Sequence, residues 1–197
     1  MHRHAATLLE LQRRDMDYRD ELIRRGTLGN GYDPGMAKIH ADNADALARI
    51  IDDLDGFPTV DIVGPEASAA AWLVVQHAIG SPDFMRRCRD LLATAVATGT
   101  GDAVQLAYLT DRIAVFEGRP QRYGTQFNWD AAGELSPQGV MHEAAVDARR
   151  RSLGWPPLVE QTRLMRERAA RAGEHPPEDQ AVRRAAYVEW LEEVGWR

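Results

Sequence analysis

Gln76 and His77 interrupt an otherwise apolar stretch, Ala69-Ala70-Ala71-Trp72-Leu73-Val74-Val75-Gln76-His77-Ala78-Ile79. A buried amide or imidazole is costly unless it finds a hydrogen-bond partner, so the rest of the chain must supply partners here. Three further polar groups stand in apolar or constrained surroundings. They are Thr110-Asp111-Arg112 in an apolar run, Gln121-Arg122-Tyr123-Gly124-Thr125-Gln126 around a glycine, and Asp147-Ala148-Arg149-Arg150. Together they suit proton transfer on a small polar or anionic substrate. Histidine titrates near working pH, so His77 is the candidate general acid or base. Asp111 and Asp147 are the carboxylates that would fix its tautomer. Arg112 and Arg149 would clamp an anionic group in two-pronged fashion. Gln76, Tyr123 and Gln126 would orient the ligand or hold a developing oxyanion.

Each group also has a structural reading. A histidine on an apolar helix is commonly a satisfied core residue, Asp111-Arg112 reads as buried ion pairing with other chain segments, and Asp147 pairs with Arg150 or Arg151 across one helical turn. The Tyr123–Gln126 segment reads equally as hairpin chemistry. Trp129, Trp155, Trp190 and Trp196 read as packing anchors.

The elements that must position these groups are mostly helices. Residues 5–25 carry Leu8, Leu9, Leu11, Met16, Leu22 and Ile23 among charges, which predicts a long surface helix stopped by Gly26. Gly29-Asn30-Gly31-Tyr32-Asp33-Pro34-Gly35 is a loop, and a second helix follows through Ile39 and Leu47 to Gly56. Phe57 to Gly64 reads as an extended link. Pro65-Glu66 opens the helix of Gln76 and His77, and Ser81-Pro82-Asp83 caps the next. A Gly99–Gly101 turn leads into the helix of Asp111. Pro120 to Gln138 loses the helical period and reads as a hairpin. Helix returns over 140–153, and two Arg/Glu/Ala-rich helices flank Gly173-Glu174-His175-Pro176-Pro177.

The expected fold is therefore mainly α, a single helical domain over residues 1–197 with seven or eight helices and one short β-hairpin near 120–136. Within it we expect an N-terminal helix and loop (1–35), a core carrying the site (36–157) and a polar helical C-terminal extension (158–197). The net charge of −6 speaks against a nucleic-acid partner, although Arg149-Arg150-Arg151 is a local basic run. The one cysteine, Cys88, excludes an intramolecular disulfide and reads as a passive helix residue in a reducing compartment. Without an apolar leader or membrane-length run, the expected location is cytoplasmic, with no membrane partner. The six histidines include no HExxH pair, and Glu143 with Asp147 shares a helix face that excludes adjacent His142. The expectation is no metal and no redox cofactor.

The segments Trp72-Leu73-Val74-Val75-Gln76-His77-Ala78, Leu109-Thr110-Asp111-Arg112-Ile113, Gln121 to Gln126 and Val146 to Gly154 occur in that order. In this respect the chain resembles a bacterial family catalogued as a domain of unknown function, over roughly residues 40–160. Where family members carry an acid directly after the histidine, this chain has Ala78-Ile79-Gly80 before Asp83. Where they carry an Asp ahead of Val146, it has His142-Glu143. The resemblance implies no reaction. It implies that His77, Asp111, Arg112, Tyr123, Gln126, Asp147 and Arg149 form one constellation.

The resulting expectation is an enzyme of the hydrolase, lyase, isomerase or cyclase kind, with His77, Asp111 and Asp147 catalytic and Gln76, Arg112, Tyr123, Gln126 and Arg149 binding the substrate. The alternative is a non-enzymatic ligand-binding or interaction domain whose polar network is structural, with the C-terminal helices as partner surface and a homodimer as a compatible assembly.

Overall fold

A computed structural model describes residues 2–28 and 31–197; Gly29 and Asn30 of the expected loop lie outside the described residues. The chain is mainly helical, with nine helices and a two-stranded antiparallel hairpin among the described residues. It forms two compact units, Met1–Asp102 and Ala103–Arg197.

The first unit holds α1 (Ala5–Arg25), α2 (Pro34–Leu54), the single turn α3 (Val60–Val63), α4 (Pro65–His77) and α5 (Pro82–Ala97). The α1 helix ends where Gly26 adopts φ +68° and donates its N–H to the Ile23 carbonyl, the left-handed stop expected of glycine. As expected of an amphipathic surface helix, α1 packs one stripe against α2 and α4 and buries Leu8, Leu11, Asp15 and Leu22. Its charged outer face is broad, which masks a narrow inward stripe in the sequence. Asp33 caps α2 by accepting the Met36 N–H at 3.0 Å and also accepts the Tyr18 hydroxyl at 3.0 Å. The link expected to be extended contains α3, because the Thr59 carbonyl accepts the N–H groups of Ile62 and Val63. Pro65 and Glu66 open α4 as expected, and Pro82 opens α5 with Ser81 at the cap position, though its hydroxyl makes no capping bond.

The second unit holds α6 (Ala103–Phe116), strands β1 (Phe127–Trp129) and β2 (Leu135–Pro137), then α7 (Glu143–Arg151), α8 (Leu158–Ala172) and α9 (Gln180–Glu193). Asn128 pairs with Ser136 at the hairpin centre, and the Asp130 carboxylate accepts the N–H groups of Ala132 and Glu134 to close its turn. Trp196 is buried, with its ring 4.8 Å from that of Phe116. No described helix is long and apolar enough to cross a membrane. Burial pushes the Cys88 thiol up to about 12, which keeps it protonated and passive.

Candidate functional site

In the first unit, three helices bring a carboxylate and two imidazoles together. Asp15 replaces an apolar residue on the buried stripe of α1, His40 does the same on α2, and His77 is the last residue of α4. Asp15 is fully buried and His40 is 8% exposed. His77 Nδ1 lies 3.0 and 2.9 Å from the two Asp15 carboxylate oxygens, and its side chain is 30% exposed. His40 Nε2 lies 3.4 Å from Asp15 Oδ2, without a well-aligned hydrogen bond among the described residues. On the far side of that ring, Nδ1 meets the Tyr32 hydroxyl at 2.8 Å, and the two rings stack with centroids 5.7 Å apart. The His40 and His77 rings are 5.2 Å apart.

Burial alone would raise the Asp15 carboxyl; the two neighbouring imidazoles outweigh it and hold the group down at about 2. Asp15 is thus a buried carboxylate anion. Burial, followed by the charge of Asp15, raises the Tyr32 phenol and keeps it protonated. A cavity of about 190 Å³ opens against this cluster, lined among others by Arg19, Thr27, Tyr32, Met36, His40 and His77. With Nδ1 of His77 turned to Asp15, Nε2 is the ring atom left for a molecule in the cavity. The arrangement can move a proton at His77 Nε2, with Asp15 fixing the tautomer. Among the described residues, Asp15, His40 and His77 also form the one cluster of three His, Cys, Asp or Glu side chains able to converge on a metal ion, with donor atoms all within 4.8 Å of one another.

The other polar network belongs to the second unit. Asp111 is fully buried on α6, and its carboxylate accepts the backbone N–H groups of Arg122 (2.7 Å), Tyr123 (3.1 Å) and Thr125 (3.0 Å). Burial pushes its carboxyl up and these N–H groups pull it back. Gln121, also fully buried, donates to the carbonyls of Gln126 and Gln138 and accepts the Gln126 N–H at 2.7 Å. Arg149 donates to the carbonyls of Arg122 and Met141. Arg150, only 2% exposed, donates to those of Pro156 and Tyr123 and lies over the Trp155 ring. Gly124 adopts φ +70°, and a Cβ there would lie 2.8 Å from a Leu158 methyl.

The expected site residues therefore fall into two groups. Gln76 and His77 lie in the first unit. Gln76 is buried on α4. In the second unit Asp111, Tyr123, Gln126 and Arg149 meet around the 121–126 segment, where Gln126 Nε2 donates to Thr125 Oγ1. Asp147 accepts the Leu158 N–H at 2.8 Å. Arg112 lies near Tyr187, and burial lowers its guanidinium pKa. Asp111 and Asp147, expected to orient His77, have their carboxylates on backbone N–H groups of loops and a helix start. The carboxylate on His77 is Asp15. Asp15, His40 and Tyr32 are not among the expected residues; for Asp15 and His40 the available signal is a polar residue at an inward position of a helix stripe, whereas Tyr32 lies in the loop before α2.

A family of unknown function (DUF6624) matches residues 11–171, more than four-fifths of the chain. The chain belongs to this family. The DUF6624 match takes in Asp15, His40 and His77 as well as Asp111 and Arg150. No curated protein and no solved structure matches the chain.

Proposed function

We propose that the chain is a small-molecule enzyme that uses His77-centred acid–base chemistry on a polar or anionic metabolite, without a redox cofactor. The observation that carries this reading is the Asp15–His77 pair at the wall of the cavity. A fully buried carboxylate holds Nδ1 of an imidazole whose side chain is 30% exposed. That combination suits a general base: the carboxylate fixes the tautomer and the outer nitrogen meets the substrate. Arg19 on the cavity wall supplies a cation for an anionic group. The reaction is of hydrolase, lyase, isomerase or cyclase type, in the reducing cytoplasm.

For the second unit the same reasoning favours a structural role. Asp111, Gln121 and Arg150 are buried with their polar atoms on backbone partners.

The test is turnover of a panel of carboxylic esters, lactones and phosphoesters by the wild type, His77→Gln and Asp15→Asn, followed by mass spectrometry. One member of the panel should be converted by the wild type, with a loss of about 100-fold or more in both variants, the range of a general base. Conversion that persists in His77→Gln contradicts the reading.

A further inference from the structure

The cavity cluster contains a feature that proton transfer by His77 leaves unexplained. His40 is 92% buried, and its Nε2 has no hydrogen-bond partner among the described residues, although it faces a carboxylate oxygen 3.4 Å away. Buried imidazole nitrogens without partners are rare, because each forfeits its hydration without replacement. The Tyr32 hydroxyl lies 2.8 Å from Nδ1. In the tautomer whose Nδ1 proton the phenol oxygen accepts, Nε2 presents a bare lone pair toward the Asp15 carboxylate, the form a metal ligand requires. A lone pair facing an anion repels it unless a cation lies between them.

We propose that Asp15, His40 and His77 bind a divalent first-row transition-metal ion through a carboxylate oxygen, Nε2 and Nδ1. Two imidazoles and one carboxylate on three different helices form a donor set suited to such ions, which keep a further position open when three protein ligands hold them. Ligands of a tetrahedral ion with bonds near 2.0–2.1 Å stand about 3.3 Å apart. The His77–Asp15 and His40–Asp15 separations are 2.9 and 3.4 Å, and the three donor atoms all lie within 4.8 Å of one another. Rotations about the side-chain bonds must open the first and bring the two imidazole nitrogens closer to seat the ion. Asp15 supplies negative charge in a buried position, and Tyr32 holds the outer nitrogen of His40 as the partners of metal-bound histidines do. Asp15, His40 and His77 all line the cavity, so an ion held by them would have room for a water there and would lower that water's pKa toward neutral.

This inference rests on the reading of the cluster as the site of chemistry and changes which group carries the proton. With the ion seated, His77 is a ligand and the water on the ion moves the proton.

The test uses the full chain, stripped of metal with a chelator and titrated with CoCl2 and, separately, ZnSO4. One equivalent of Co²⁺ should bind with the visible absorption of a low-symmetry nitrogen–oxygen site, and Zn²⁺ should displace it. With Zn²⁺ well above its Kd, Tm should rise by about 5 °C or more. Asp15→Asn and His40→Ala should weaken binding by more than about 100-fold. His77→Ala alters a part-exposed side chain, so it should remain folded and show the same loss. No Co²⁺ spectrum and an unchanged Tm would overturn the proposal, as would wild-type affinity in folded His40→Ala or His77→Ala. The readings separate cleanly. Turnover that needs His77 but survives chelation overturns the metal and leaves the acid–base reading standing. Metal bound at one equivalent without turnover of any panel member supports the ion and contradicts that reading.

Discussion

The two buried polar networks of this chain differ in how they are closed. In the second unit, the Asp111 carboxylate meets three backbone N–H groups and Arg150 reaches two carbonyls. These bonds fasten the 121–126 segment to α6 and α7, and they join parts of one chain to each other. In the first unit, Asp15, His40 and His77 meet one another through their side chains. One imidazole nitrogen there lacks a partner among the described residues, one ring is part-exposed, and a cavity adjoins them. A network saturated by backbone fixes a fold, whereas one left open at a cavity is available to a ligand.

Breaking the closed network should therefore cost the most stability. Asp111→Ala takes the carboxylate away from three backbone N–H donors at once and should lower the unfolding free energy by about 3 kcal/mol or more, read from urea denaturation. Arg150→Met strands the carbonyls of Pro156 and Tyr123 and should cost about 2 kcal/mol in the same measurement. Gly124→Ala adds a Cβ 2.8 Å from Leu158 at a left-handed φ and should cost about 1–2 kcal/mol. A smaller effect tests the frame of the open cluster. The Met36 N–H holds the Asp33 carboxyl below its ordinary value. Because the folded-state pKa is depressed, this cap stabilises at neutral pH and fades as pH falls below about 4. The Tm difference between wild type and Asp33→Ala should be present at pH 7 and shrink toward pH 3; a difference that grows in acid contradicts the assignment.

Much of the fold was legible because it rests on local signals. The helix expected over 5–25 is Ala5–Arg25, set by an apolar stripe and Gly26, and the loss of helical period after Pro120 marked the hairpin. The site was legible only in part. Gln76-His77 stood out because the polar pair breaks a continuous apolar run. Asp15 breaks the stripe of Leu8, Leu11 and Leu22, and His40 that of Met36, Ala44 and Leu47, yet each stripe is diluted by charges on the other helix faces. The partnership of His77 with Asp15 spans 62 residues, and no spacing rule encodes it. Asp111 was visible as a polar residue on an apolar helix. That its partners would be backbone N–H groups 11 to 14 residues ahead depends on the path of the 121–126 segment.

The contrast between an open and a closed network is tested most directly by urea unfolding of His77→Gln beside Asp111→Ala. The account predicts a loss of about 1 kcal/mol or less for His77→Gln, whose imidazole is part-exposed, against about 3 kcal/mol or more for Asp111→Ala. Equal losses, or a larger one for His77→Gln, would contradict it by making His77 a structural residue.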